Sequence, residues 1–212
     1  MILAENTDEM PKLNGHAIEK EVKLRIKHAR FLGLLEKHGL KFSISKTATQ
    51  RDLIFDFPDF RLFRGDQLFR IRLENGKVML TFKGRRDISR YSKRRIEIEE
   101  DIGSERAIDV LEKIGIRVSE PPSTLEATVE LLKRSGMIMV IEVVKERTLL
   151  NLEGWGCNVY LDKVRGLGEF VEIEGEGADQ LVDVLDLPKA VVIESYVEML
   201  VRSLDHELSS IS

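Results

Sequence analysis

The sequence predicts an α+β fold, an antiparallel β-sheet closed into a barrel with a charged interior and flanked by helices. Three observations carry this prediction. Nearly every strand-like segment is charged on one face and apolar on the other, because strand side chains alternate with period two. The charged faces hold Glu, Arg and Lys, with few of the Thr, Ser and Gln usual on solvated sheets. Amphipathic helices are numerous enough to cover the apolar faces, so closure would turn the charged faces inward around a tunnel.

Residues 1–15 read as a flexible extension, and residues 16–212 as a single domain. Alternation from about Ala17 to Ile26 puts Glu19, Glu21, Lys23 and Arg25 on one face and Val22, Leu24 and Ile26 on the other. A helical spacing of Ala29, Leu32 and Leu35 follows and stops near His38-Gly39. Leu40 to Phe57 forms a long strand or hairpin arm that Pro58 ends. Asn75-Gly76 is the strongest hairpin turn signal in the chain. It joins a strand from Leu68 to Glu74, bearing Arg70 and Arg72, to one from Lys77 to Gly84, bearing Thr81 and Lys83.

Ser92 to Asp101 sets Arg95, Glu97 and Glu99 against Ile96 and Ile98. Ser104 to Ile114 is an amphipathic helix with Ser104 as N-cap and Gly115 as stop. After the Pro121-Pro122 break, Thr124 to Ser135 reads as a further helix. Strands follow near Met137 to Leu152, Cys157 to Val164 and Phe170 to Glu176, then a last helix from about Lys189 to Leu208. That helix is amphipathic and packs on the barrel or on a second subunit, so a homodimer is one expectation.

Bulk properties narrow the function. A chain of 212 residues suits one domain with a sizeable core. Its net charge of −4 argues against nucleic-acid binding driven by overall positive charge. One cysteine, Cys157, excludes an intrachain disulfide and a cysteine-based zinc site, and a cytoplasmic location is the simplest expectation. No apolar run is long enough to span a bilayer, so no membrane partner is expected. Gly166-Leu167-Gly168 lacks the third glycine and helix context of a dinucleotide loop and reads as a turn. The four histidines are scattered, Trp155 reads as a packed loop anchor, and Lys93-Arg94-Arg95 reads as a solvent-exposed basic triplet.

A tunnel lined with charge is costly when empty, since buried ions lose hydration and like charges repel. A bound polyphosphate with divalent cations removes both costs. Arg and Lys neutralise phosphate oxygens, and hard carboxylates suit Mg²⁺ or Mn²⁺.

The motifs agree with this chemistry. Glu19-Lys20-Glu21-Val22-Lys23, Phe69-Arg70-Ile71-Arg72, Thr81-Phe82-Lys83-Gly84, Arg95-Ile96-Glu97-Ile98-Glu99 and Lys145-Glu146-Arg147 occur in that order. A block from Leu161 to Glu174 and the pair Ser195-Tyr196 complete the series. In this order and spacing the chain resembles the CYTH superfamily, the triphosphate tunnel metalloenzymes, and within it the class IV adenylate cyclase-like branch. The resemblance implies an eight-stranded antiparallel tunnel. It also implies that Glu19, Glu21, Glu172 and Glu174 hold a divalent cation, Mg²⁺ or Mn²⁺. Lys23, Arg70, Arg72, Lys83, Lys145 and Arg147 would grip the triphosphate. Arg95 would either join them or partner neighbouring carboxylates. Glu97, Glu99 and Asp162 would serve catalysis by supporting metal-bound water or basic side chains.

Two departures stand out. Ile54 occupies a position where relatives usually carry Tyr, and residues 120–137 form an insertion of about one helix. The expected substrate is ATP or another triphosphate. A cyclase would send the ATP 3′-hydroxyl to the α-phosphorus and release pyrophosphate. A triphosphatase would send water to the terminal phosphorus of tripolyphosphate, a nucleoside triphosphate or thiamine triphosphate. A non-catalytic polyphosphate or nucleotide sensor is the third alternative.

Overall fold

The computed structural model describes residues 12–13 and 16–209, with side chains from 18 to 205. The extension expected over residues 1–15 therefore lies outside the described residues, apart from the short β1 (Lys12–Leu13), which pairs with the start of β2 (His16–Leu24). The chain continues through α1 (His28–Lys37), β3 (Phe42–Asp56), α2 (Arg61–Arg64), β4 (Leu68–Glu74) and β5 (Lys77–Lys83). Next come β6 (Asp87–Ser89), β7 (Ser92–Asp101), α3 (Ala107–Lys113) and α4 (Leu125–Arg134). The strands β8 (Ile138–Leu152), β9 (Cys157–Val164) and β10 (Gly168–Gly175) lead to α5 (Ala178–Val184) and α6 (Tyr196–Ser209).

Eight strands form a closed ring in the order β2-β10-β9-β8-β3-β4-β5-β7, and β7 pairs back onto β2. Every pairing is antiparallel. The closing register sets Glu19 opposite Arg95 and Glu21 opposite Lys93. The expected α+β barrel with eight antiparallel strands and flanking helices is thus observed. Among the described residues, no helix is long and apolar enough to cross a membrane.

The apolar strand faces pack outward under helices. On one side Val22, Leu24, Val171 and Ile173 meet Phe31 and Leu35 of α1 and Leu181 and Val182 of α5. On the other, Phe69, Ile71, Leu80 and Ile98 meet Val110 and Leu111 of α3 and Leu132 of α4. The helix expected after the Pro121-Pro122 break is therefore part of the wall: Thr124 caps it by accepting from Ala127 N at 3.1 Å, and Leu132 is fully buried. α5 escaped the sequence reading, although Ala178, Leu181, Val182 and Leu185 follow helical spacing and are all buried. It starts at Gly177, where a Cβ would lie 2.0 Å from the Trp155 carbonyl oxygen, so only glycine lets the two loops approach so closely.

The last helix starts later than expected. Residues after Pro188 form a 3₁₀ turn and then extend along the end of β2, where Arg25 N donates to Ala190 O and Val192 N to Lys23 O, both at 2.8 Å. Those strand-like bonds hold the segment out of a helix until Ser195. There a capping box begins: Glu198 N donates to Ser195 Oγ (3.2 Å) and Ser195 N to the Glu198 carboxylate (2.6 Å). α6 consequently enters beneath one end of the barrel. Its Tyr196, Val197 and Met199 pack with Ile54, Val143, Val164 and Phe170. The inward strand face is therefore apolar at this end and charged above it.

Two measurements test this architecture. Leu132→Ala should lower unfolding free energy by about 3 kcal/mol in urea titrations, as for a buried core leucine; a loss below about 0.5 kcal/mol would make α4 a surface ornament. For the α6 cap, burial raises the Glu198 carboxyl, but hydrogen bonds from Arg86 (2.9 Å) and from Ser195 outweigh it and bring it down to about 2. A depressed folded-state value stabilises above the unfolded value of 4.5, and the gain fades as pH falls toward 2. Glu198→Gln should cost about 1–2 kcal/mol at pH 7, after allowance for partial exposure, with the gap to wild type closing between pH 4.5 and 2.

Candidate active site in the barrel interior

Above the apolar floor lies a cavity of about 580 Å³ whose lining includes Glu19, Lys23, Arg70, Lys83, Arg147 and Glu172. Buried Tyr196 and Val197 close its floor, and exposed Lys46 stands at the opposite end with half-buried Leu149 and Tyr160. Strand alternation accounts for the convergence. Each of β2, β4, β5, β7, β8 and β10 turns one face of alternating residues inward, and that face carries most of its charged residues toward the cavity.

The basic groups are held rigidly by carboxylates. Asp52 accepts from Arg70 Nη1 at 3.0 Å and from Arg72 Nε and Nη2 at 2.7 and 2.8 Å, so one buried acid on β3 orients both arginines of β4. Arg70 also donates to Thr81 Oγ1 (3.1 Å) and Glu99 (3.2 Å), while Thr81 donates to Glu99 at 2.6 Å. Lys83 Nζ is shared between Glu19 (2.7 Å) and Glu97 (2.8 Å). Arg95 Nε donates to Glu19 at 2.9 Å.

Asp162 is a second such hub. It is completely buried and receives Lys145 Nζ (2.9 Å), Arg147 Nε (2.7 Å) and Nη2 (2.6 Å), and the Tyr196 hydroxyl (3.0 Å). It stands behind the cations and is not part of the cavity lining. The Tyr196 ring lies 4.2 Å from Lys23 Nζ and 5.2 Å from Lys145 Nζ, so two lysines rest on one aromatic floor. His28 is structural: its Nε2 lies 3.1 Å from Asp162 O and 3.0 Å from Phe170 O.

The acidic side is less well balanced. Carboxylate oxygens of Glu19, Glu21 and Glu174 come within 4.8 Å of one another. Glu172, the fourth expected ligand, engages Lys23 at 3.3 Å and Arg147 more closely, with Lys145 at 3.9 Å. Burial pushes the Glu174 carboxyl up to about 8; Glu19, Glu172 and Glu21 add like-charge repulsion that Arg147, 3.6 Å away, only partly offsets. Burial also disfavours the charged form of Glu21, but Lys93 and Lys23 hold its carboxyl below the usual range. Glu21 Oε1 lies 2.5 Å from Lys93 Nζ yet has no partner in hydrogen-bonding geometry. Three crowded carboxylates, Glu19 and Glu21 buried and Glu174 half-buried with its counter-charge 3.6 Å away, suit a hard divalent cation of the Mg²⁺ or Mn²⁺ type.

Within the Lys93-Arg94-Arg95 triplet, read as solvent-exposed, Lys93 is the correction: Arg94 is exposed and pairs with Glu176, whereas Lys93 points inward, fully buried against Glu21, and Arg95 lies inside against Glu19. Alternation along β7 already puts Lys93 on the face of Arg95, Glu97 and Glu99, so the period-two signal was present. Tyr196 was visible as a motif member and Asp52 lies two residues before Ile54, but nothing in their local sequence marked them as hubs. Ile54 lines the cavity near its floor. Gly166 and Gly168 form the β9–β10 turn with φ of 80° and 93°.

Because Asp162 neutralises two buried cations, Asp162→Asn should cost about 3–5 kcal/mol of stability, the usual penalty for stranding one side of a buried ion pair. Urea unfolding at pH 7 measures it; a loss under about 1 kcal/mol would show that Lys145 and Arg147 find other partners.

Residues 17–183 match the CYTH domain, which accounts for most of the chain. A protein of Methanocaldococcus jannaschii, carried under the provisional name of an adenylate cyclase, is 27% identical over 197 residues, covering 86% of this chain and 98% of the relative. A solved structure from Pyrococcus horikoshii OT3 superimposes with a TM-score of 0.67 at 27% identity, covering 87% of this chain and 99% of the other. In fold alone, this chain also resembles a Hippeastrum adenylyl cyclase-type protein described as having a dominant triphosphatase activity, with a TM-score of 0.59, 21% identity and coverage of 87% and 96%. The match of residues 17–183 to the CYTH domain, with the barrel and its inward-facing charges, makes the chain a member of the CYTH family.

Proposed function

We propose that this protein is a metal-dependent enzyme that binds the triphosphate of ATP in the barrel and acts as an adenylate cyclase, forming cyclic AMP and pyrophosphate. The observation that carries this is the convergence, inside one enclosed cavity, of pre-oriented Arg and Lys side chains with a group of three crowded carboxylates. Arg70, Arg72, Lys83, Lys145, Arg147 and Lys23 surround the space from four strands and would neutralise phosphate oxygens, the arginines by paired hydrogen bonds. Their rigidity matters: Asp52 and Asp162 hold the guanidinium groups before substrate arrives, so little reorganisation accompanies charge development.

Glu19, Glu21 and Glu174 would hold the divalent cation, which when bound supplies charge neutralisation and activation of the attacking oxygen. Glu97 and Glu99 are positioning residues in this scheme. Burial raises their carboxyls, but Lys83 and Arg70 for Glu97, and Arg70 and Arg72 for Glu99, outweigh it and keep them ionised. They therefore serve to orient Arg70 and Lys83 better than to take protons. The apolar floor of Tyr196 and Val197 excludes water from one end, and Leu149 and Tyr160 at the other offer a surface for a base. The location expected for such an enzyme is the cytoplasm.

The second reading is a triphosphatase. It is favoured by the cavity's charge, which lies around the phosphate-sized space, while the apolar surface available to a base is confined to the mouth. Incubation with ATP, and separately with tripolyphosphate, in Mg²⁺ or Mn²⁺ separates the readings by product. Cyclic AMP with pyrophosphate supports the cyclase, orthophosphate supports the hydrolase, and binding without turnover overturns both in favour of a sensor.

With whichever substrate turns over, Glu174→Gln should lower kcat by about 100-fold or more, because it removes a candidate metal ligand. Arg72→Ala should mainly raise KM, by roughly tenfold, as expected for loss of a charge-assisted phosphate contact. Steady-state kinetics on both variants checks the split; unchanged kinetics in both would remove the cavity from the chemistry.

A further inference from the structure

Lys93 differs from the other cations of the interior. Lys23 and Lys83 line the cavity and each serves two carboxylates. Lys93 is not part of the lining, is 1% exposed, and among the described residues forms an ion pair with Glu21 alone, at 2.5 Å. It stands on β7 directly across from Glu21 on β2, at the seam that closes the barrel. From there it reaches no substrate. What it reaches is one oxygen of a carboxylate that belongs to the three-acid group.

We propose that Lys93 is a built-in counter-ion for the metal site: it satisfies Glu21 when no divalent cation is present and thereby weakens the site's hold on the free cation, an inference that rests on the metal site proposed above. The physics is direct. Lys23 Nζ, nearer to Glu172, stands 3.8 Å from Glu21 Oε1, so without metal Lys93 at 2.5 Å is the close counter-charge that keeps this buried carboxylate from being poorly compensated. The same charge repels an arriving cation and competes for the oxygen it would use. The consequence for function is that the metal binds firmly only together with the triphosphate, whose own charge overcomes the repulsion.

The test compares wild-type protein with Lys93→Met, full-length and without any triphosphate, by Mn²⁺ binding (electron paramagnetic resonance of free Mn²⁺) and thermal unfolding in EDTA and in Mn²⁺. Lys93→Met should bind Mn²⁺ roughly tenfold tighter, melt lower in EDTA, and gain more from Mn²⁺ than wild type does. Equal or weaker Mn²⁺ binding by folded Lys93→Met overturns the role of Lys93. If that variant does not fold in EDTA, Lys93→Met combined with Glu21→Gln decides, since it carries neither charge. Recovery of folding in EDTA supports the counter-ion role, and failure to recover means that Lys93 acts through packing. Absence of Mn²⁺ binding by wild type and by Lys93→Met alike, without triphosphate and again with tripolyphosphate present, would instead overturn the metal site itself, and this inference with it.

Discussion

Mutual neutralisation of buried charge is the constraint on which the rest of this structure depends. The barrel closes with carboxylates, guanidinium groups and ammonium groups on its inside, and each would be prohibitively costly there alone. The hubs Asp52 and Asp162 solve this for the basic half: each gathers two long cationic side chains and fixes their direction. The same contacts that let the empty protein fold also present an ordered set of donors to an anion. Stability and recognition are thus served by one network.

The acidic half is left incompletely balanced. Among the described residues Glu174 pairs only with Arg147, at 3.6 Å, and the nearer of the two lysines at Glu21 is Lys93, which does not line the cavity. This asymmetry is the clearest chemical statement the interior makes, because carboxylates crowded together in the barrel are satisfied by a cation that the fold itself does not fully supply. The closed floor adds direction. α6 puts Tyr196 beneath two lysines and fills the lower barrel with apolar side chains, so the polar cavity opens away from the last helix.

Much of this was legible in the chain. The strand faces, the Asn75-Gly76 hairpin, the helix after Pro121-Pro122 and the inward position of Glu19, Arg72 and Lys83 follow from local periodicity and turn chemistry, and all are observed. Some misses were also local signals left unused. α5 has regular helical spacing, Ser195-x-x-Glu198 is a capping box that marks the start of α6, and Lys93 shares a face with Arg95. The backbone bonds that hold residues 190–192 along β2 are different in kind, since nothing near Lys189 announces a partner some 165 residues earlier.

What the sequence by itself determined is which side chains share a face, since that depends only on the two-residue repeat of a strand and the reach of neighbouring residues. Tertiary structure alone decided which opposite charges meet: that Asp162 serves Lys145, Arg147 and Tyr196, that Glu172 turns to cations while Glu174 joins Glu19 and Glu21, and that Lys93 ends against Glu21. The reason is physical. Partners across a closed sheet are chosen by strand order and register, which bring residues from distant parts of the chain within 3 Å. Only burial then makes each of those meetings obligatory.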